Sequence, residues 1–423
     1  VERPDAQGVE KLNDTPIICS LLDMDFYKFT MGQMVFQRYR RVPVKYAFVN
    51  RTPSVRIADV VDSGELREEL DHARRLRFNN SELHYLRGTN EYGDRMFQED
   101  YLQFLRELRL PDYELSFQDG QLRLEFAGEW AEAIYWETVA LAIVNELYYR
   151  SQLRERSSFE RDLVYATGRV RLAEKIGVLR DNPEIRFVDF GTRRRFSRSW
   201  QFYVDRVLAD EVPKQFLGTS DTESAMHNGL APMGTSAHEL YMVMSGIMYD
   251  ADDQVRASHN RVLTDWWESY GWGLSIALTD TYGSEFFFRD MTTEQARAWK
   301  GLRHDSGDPF AFGARAIRFY EEKGIDPREK LLIFSDGLEL GRILELQRRF
   351  AGRITLSYGW GTNLTNDLGL EPVSIVIKAV EANGHRTVKL SDNLAKATGT
   401  KEDIARFRRI FGHDHENVEA VRY

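Results

Sequence analysis

Residues 300–336 read KGLRHDSGDPFAFGARAIRFYEEKGIDPREKLLIFSD. Two short strand-like runs, KGLRHDS (300–306) and LLIFSD (331–336), flank a stretch of helix-forming residues. Asp308-Pro309 supplies a capping acid and a proline at the first helical position. The spacing predicts a helix from there to about Lys323, stopping at Gly324. Strand, helix and strand in that order are the unit of a parallel sheet. Alternation along the first strand puts Arg303 and Asp305 on one side and His304 on the other. Arg303, Asp305, Ser306 and Gly307 are therefore expected at the strand's active end, with His304 structural.

The same unit recurs outward from this stretch. IRFVDFG (185–191), KQFLGTS (214–220), LSIALTD (274–280) and RITLSYG (353–359) are further runs, with APMGTS (231–236) a weaker one. They predict a parallel sheet, closed as a barrel or doubly wound. The flanks have another texture. VKYAFVN (44–50) alternates, YELSFQDGQLRLEF (113–126) reads as a hairpin turning at Asp119-Gly120, and residues 136–155 should form a long helix. PVSIVIKAVEANGHRTVKLS (372–391) reads as a second hairpin turning at Asn383-Gly384, and KEDIARFRRIFG as a short helix. The expected division is an N-terminal α/β domain, 1–160, rejoined by 372–423, with the parallel domain at 161–371.

The 423 residues allow two or three domains, and 42% hydrophobic with 29% charged residues excludes disorder of the whole chain. A net charge of −9 gives no general attraction to nucleic acid or anionic membranes. Any polyanion must meet a local basic cluster. The single cysteine, Cys19, excludes a disulfide framework and a cysteine-rich zinc site, and suits a cytoplasmic setting. The polar start VERPDAQGVEKLNDTP lacks the pattern of a signal peptide, and no apolar stretch is long enough to span a membrane.

In parallel α/β folds the C-terminal strand ends form the active face. Here they carry Asp189, Ser220, Asp280, Asp305, Asp336 and Gly359. Each acid could instead cap the next helix. Four on one rim beside arginines suit a magnesium–polyphosphate substrate better. FGTRRRFS (190–197) supplies Arg193, Arg194 and Arg195, one of which is expected to be only a solvated helix face. YGWGTNLTND (358–367) offers an anion nest at Gly359 and Gly361. His238, in APMGTSAHELYMVM (231–244), is either a structural helix-start residue or a base or nucleophile toward phosphorus. LLDMDFYKFTMGQMVFQRY (21–39) brings Asp23, Asp25, Tyr27 and Lys28 before a core-like helix, and SDNLAKATG (391–399) could be a surface loop.

LLDMDFYKFTM, DFGTRRRFS, GTS, PMGTSAHE, ALTD, RHDSGDP, FSD and GWGTNLTND occur in this order from about residue 20 to 411. The ordered set resembles the nicotinate phosphoribosyltransferase family, bacterial and fungal type. The resemblance implies an irregular, funnel-like α/β barrel of the type II phosphoribosyltransferases plus a second, discontinuous α/β domain. It implies transfer of phosphoribosyl from 5-phosphoribosyl-1-pyrophosphate to nicotinate, with Mg2+ and with ATP as co-substrate. It also implies a homodimer with shared sites. By the same resemblance Phe190 stacks on the pyridine ring, Tyr27 is the partner subunit's aromatic, and Arg51 reaches the partner's site. Arg193 meets the nicotinate carboxylate or a phosphate. Thr219 and Ser220 bind substrate, and Ser220 stands where related nicotinamide enzymes carry Asp, removing a charge that would repel a carboxylate. His238 is the histidine that ATP phosphorylates. Arg303 and Asp305 hold the ribose and phosphates, Asp280 and Asp336 serve the ribose or the metal's water shell, and Gly361 and Thr362 grip the 5′-phosphate.

Three positions depart from the family pattern. Ser236 replaces a Gln before Ala-His, Gly337 replaces a polar residue, and Asn393-Leu394-Ala395-Lys396 replaces Ser-Pro-Gly-Lys. Lys396 is thus either a phosphate contact or part of a surface loop. Rival readings are a nicotinamide or quinolinate phosphoribosyltransferase, a catalytically silent relative that only binds, and a magnesium-dependent aldolase-type barrel. The last would leave GTRRRFS and GWGTN unexplained.

Overall fold

The computed structural model describes residues 15–414. The polar start and the outer ends of the expected first domain, 1–14 and 415–423, lie outside them. The strands that position the site are, in chain order, β1 (Pro43–Asn50), β2 (Tyr113–Gln118), β3 (Gln121–Glu129), β4 (Phe187–Asp189), β5 (Phe216–Thr219), β6 (Ile276–Leu278), β7 (Gly301–His304), β8 (Leu331–Phe334), β9 (Thr355–Trp360), β10 (Ile375–Ala382) and β11 (His385–Arg386).

β4 to β9 form one parallel sheet in the order β5-β4-β9-β8-β7-β6. That order is the chain sequence read around a ring, with β9 pairing back to β4. The ring continues past β5 through one parallel bridge between Thr219 and Pro232. Among the described residues no ladder joins Pro232 to β6. The break is spanned instead by the helix His238–Ile247, whose first side chain bonds Thr281 just beyond β6. This is a barrel with one irregular seam, and the weak run APMGTS lies at it. The strands are short and apolar because helices cover them: Phe187, Leu302, Leu332 and Phe334 are all fully buried.

The predicted unit around 300–336 is present. Asp308 accepts from the backbone N–H of Phe310, Pro309 opens the helix Pro309–Glu322, and β7 and β8 pair in parallel.

The second sheet is antiparallel, in the order β11-β10-β1-β3-β2. It unites strands from both ends of the chain: β1 pairs β10 along Val44–Asn50 and β3 on its other edge. Both hairpins turn where expected. Asp119 and Gly120 (φ 53° and 74°) and Asn383 and Gly384 (φ 52° and 79°) have the paired positive φ of a tight two-residue turn. The helix Trp136–Arg154 is buried at every residue from Trp136 to Tyr149. Over that stretch it lies between the layers and no face of it meets water; only its last turn, Arg150–Arg154, reaches the surface. No helix among the described residues is long and apolar enough to cross a membrane.

Candidate active site

One cavity sits where the C-terminal ends of the parallel strands meet the antiparallel sheet. The turn after β4 gives it Phe190, Arg193 and Arg194. Ser220 follows β5, Arg303 and Asp305 come from the end of β7, Asp336 follows β8, and Gly361 and Thr362 follow β9. Val376 and Lys378 of β10 and Lys389 and Lys396 beyond it form the facing wall.

His238 starts its helix at the seam and is 5% exposed. Its Nε2 lies 2.9 Å from Asp305 Oδ2 and 3.6 Å from Asp280 Oδ1, and its Nδ1 lies 2.9 Å from Thr281 Oγ1. Burial, aided by Lys389, lowers the imidazole to about 4 against the pull of Asp280 and Asp305. The ring is therefore neutral near pH 7. Burial alone would raise Asp280, but Lys389 and His238 hold it at about 2, and Asp305 is lowered well below its ordinary value. With both acids ionised, Nε2 carries the ring proton and Thr281 donates to Nδ1. Asp305 also accepts from Ser335 at 3.1 Å. One oxygen each from Asp280 and Asp305 and one nitrogen of His238 lie within 4.8 Å of one another, which could also hold a metal ion. A nitrogen donor fits Mg2+ poorly, since that ion takes oxygen ligands. Asp305 and Asp336, which face the cavity, fit its water shell better.

The three consecutive arginines part company. Arg193 Nη1 donates to Tyr27 Oη at 3.1 Å and lies 3.8 Å from Glu137 in the cavity wall. Arg194 also lines the cavity. Arg195 is fully buried, forked onto both oxygens of Asp23 and 3.1 Å from Asp221. It is not solvated, as the sequence allowed for one of the three. It is an internal anchor between the barrel and the segment before Tyr27. The Arg303 side chain makes no ion pair or hydrogen bond to any described residue, and its buried Nε has no partner. An unpaired guanidinium in a cavity wall is a ready anion site.

Ten more of the expected residues line the cavity: Tyr27, Arg51, Phe190, Arg193, Ser220, His238, Asp305, Asp336, Gly361 and Thr362. Tyr27 and Arg51 do so within their own chain. The Phe190 ring packs against Gly359, where a Cβ would sit 2.3 Å from Phe190 Cδ2. Two expected residues lie elsewhere. Thr219 is fully buried and donates to Asp189 at 2.8 Å, because it alternates away from Ser220. Asp280 sits behind His238, accepting from Ser306 at 2.5 Å. Ser306 thus turns inward as well, bonding Ser391 at 2.8 Å. Asp189 is enclosed by Thr219, Gln201 and the Gly191 N–H. His304 is structural as expected, buried against Phe312 and Phe334.

SDNLAKATG is not a surface loop. Ser391 is fully buried, and Lys396, 7% exposed, pairs with Asp336. Lys378, Lys389 and Glu137 were not foreseen. Glu137 takes Lys28 at 2.6 Å and Lys378 at 3.7 Å. Burial would raise this carboxyl, but Lys28, Lys378 and Arg193 hold it at about 2. Lys378 alternates with β-formers in SIVIKAV, a pattern no different from that of any half-buried strand residue. Only the layer it faces gives it a site.

Barrel, seam and cavity define an α/β-barrel protein with a basic, carboxylate-lined pocket beneath a second sheet. The chain belongs to the nicotinate phosphoribosyltransferase family: the family model matches residues 185–415, and that of the family's N-terminal domain matches 22–145. Among solved structures it is similar to nicotinate phosphoribosyltransferase from Porphyromonas gingivalis, at 32% identity and TM-score 0.82, over 94% of this chain and 100% of that one. The Vibrio cholerae enzyme of the same name matches at 34% identity and TM-score 0.83, over 96% of this chain and 95% of that one.

Proposed function

We propose that the chain transfers phosphoribosyl from 5-phosphoribosyl-1-pyrophosphate to nicotinate, giving nicotinate mononucleotide and pyrophosphate in NAD salvage. One observation carries this reading. In a chain of net charge −9, a single cavity gathers seven arginines and lysines against four acids, beside Tyr27 and Phe190. The aromatic end suits a flat heterocycle and the basic end a polyphosphate. The pyridine nitrogen attacks C1 of the sugar as its bond to pyrophosphate breaks, with positive charge building on the ring. Arg303 and the lysines of the sheet wall neutralise the departing pyrophosphate, and Asp305 offsets the cationic sugar. Mg2+, brought with the polyphosphate and met by Asp305 and Asp336 through water, would add charge neutralisation there.

Coupling to ATP through a phosphohistidine belongs to the same reading. His238 is neutral and held from both sides. When Thr281 turns its hydroxyl from donor to acceptor, the ring proton moves to Nδ1 and Nε2 gains the lone pair that attacks phosphorus. ADP leaves, and water later releases phosphate from the ring. A homodimer in a reducing, cytoplasmic compartment completes the reading. Phe159, Leu163 and Val170 expose apolar surface along one helix, and Cys19 is an exposed free thiol.

The test is a substrate panel. Labelled nicotinate with the pyrophosphorylated sugar should yield mononucleotide, with ATP raising the rate. Preference for nicotinamide or quinolinate, or binding without turnover, would overturn the reading.

A further inference from the structure

Ser220 was expected to favour a pyridine carboxylate because it is not an acid. The structure returns an acid to the same place: Asp25 Oδ1 accepts from Ser220 Oγ at 2.6 Å, in the cavity wall. An ionised Asp25 would repel nicotinate much as the missing Asp would. We propose that Asp25 receives the substrate's carboxylate as a neutral acid, donating a hydrogen bond from Oδ2. This deepens the nicotinate reading above and rests on it.

The geometry is fixed. Asp25 is 3% exposed and stands two residues before Tyr27. The backbone N–H of Phe26 donates to Ser220 O at 2.6 Å, and Asp25 bridges Asp221 through its backbone. Ser220 satisfies Oδ1, whereas Oδ2 is buried and has no hydrogen-bond partner. A buried polar atom left single is costly, and a site that leaves one is built for something to meet it. In the neutral acid, Oδ1 is the acceptor and Oδ2 the donor, which is the division the contacts require.

The charged groups around Asp25 agree. Burial raises its carboxyl to about 6, opposed by Arg193 from the turn after β4 and by the hydrogen bond from Ser220. Glu137 from the central helix and Asp189 at the end of β4 push it further up, and Tyr27 on its own segment stays protonated. A substrate carboxylate against Oδ2 acts in the same direction, since two acids at hydrogen-bond distance do not both ionise. Nicotinate binding above pH 6 or so therefore takes up a proton. Nicotinamide, whose amide can donate to ionised Asp25, takes up none, so the acid is favoured over the amide more strongly as pH falls.

Nicotinate binding is measured by calorimetry at a pH of about 7.5 in two buffers of different ionisation enthalpy. Uptake approaching about one proton is expected, with the nicotinate KM rising about tenfold per pH unit toward alkaline pH. Asp25→Asn keeps a donor but not a titration, and should bind nicotinate with a flat KM and no proton uptake. Uptake that persists in Asp25→Asn would assign the proton elsewhere and overturn the proposal. So would its absence in the unaltered protein, a measurement that stands even if the variant does not fold. No nicotinate binding at all would sink the functional reading too, whereas binding without uptake sinks only this inference.

Discussion

His238 Nε2 lies 2.9 Å from Asp305 Oδ2, while Nδ1 lies 2.9 Å from Thr281 Oγ1. The hydroxyl is the only one of the two neighbours that can either donate or accept. It therefore controls which nitrogen is free. Thr281→Val should slow labelling of the protein by ATP γ-phosphate about 10²-fold, the usual worth of a positioned proton-transfer group. Phosphoribosyl transfer without ATP should change much less. His238→Ala should take up no label. Stoichiometric label on that variant would move the acceptor elsewhere.

Arg303 and Arg195 make an informative pair. Arg303→Ala removes an unpaired cation from the cavity and should weaken binding of the pyrophosphorylated sugar by roughly 10- to 100-fold, as for a lost hydrogen bond to a charged group. Its melting temperature should hardly move. Arg195→Ala takes the forked partner from buried Asp23, leaving it Arg198 at 3.5 Å, and should lose about 3 kcal/mol in denaturant unfolding. Equal effects of the two on stability would contradict the division drawn between them.

Gly359→Ala puts a methyl into the Phe190 ring. The ring must swing away from its position in the cavity wall. The expected cost is about 1–3 kcal/mol of stability, the range for overpacking. The nicotinate KM should rise more than the KM for the sugar substrate, because only the heterocycle end is disturbed. Steady-state kinetics with each substrate varied in turn would check this.

Lys378 links the cavity to pH. Burial lowers its ammonium to about 7 against the opposing pull of Glu137, with Arg193 adding to the lowering. The group is charged below that value and neutral above it. A polyanion in the cavity favours the charged form, so its affinity should fall as pH rises from about 7 to 9. Lys378→Met should weaken binding of the pyrophosphorylated sugar at low pH and flatten the profile. An unchanged slope in the variant would assign the titration to another group.

Much of this was legible in the chain because strand ends announce themselves. Alternation separated Arg303 and Asp305 from His304, and the turn pairs Asp119-Gly120 and Asn383-Gly384 fixed both hairpins. What failed was local too. Thr219, Ser306 and Asp280 sit in the right motifs, yet each turns its side chain into a neighbouring network that only the folded layers bring together. Arg195 reads no differently from Arg193, two residues before it. The partner that separates them, Asp23, lies over 170 residues away. Lys378, Lys389 and Lys396 carry no motif of the barrel, since they act from the opposite sheet.

That opposite wall has a consequence for how the protein is made. β1 finds β3 early, but its other edge waits for β10, more than 320 residues later. Contacts so distant in sequence form slowly, and large chains fold unit by unit as they emerge from the ribosome. Arg303, Asp305 and Asp336 are thus assembled while Lys378, Lys389 and Lys396 are still untranslated. A growing chain has a barrel mouth that still lacks three of its seven arginines and lysines. The full set of cations that meets a polyanion is gathered only once β10 and the segment after it are laid along β1, so the pocket comes into being when the two distant parts of the antiparallel sheet are joined.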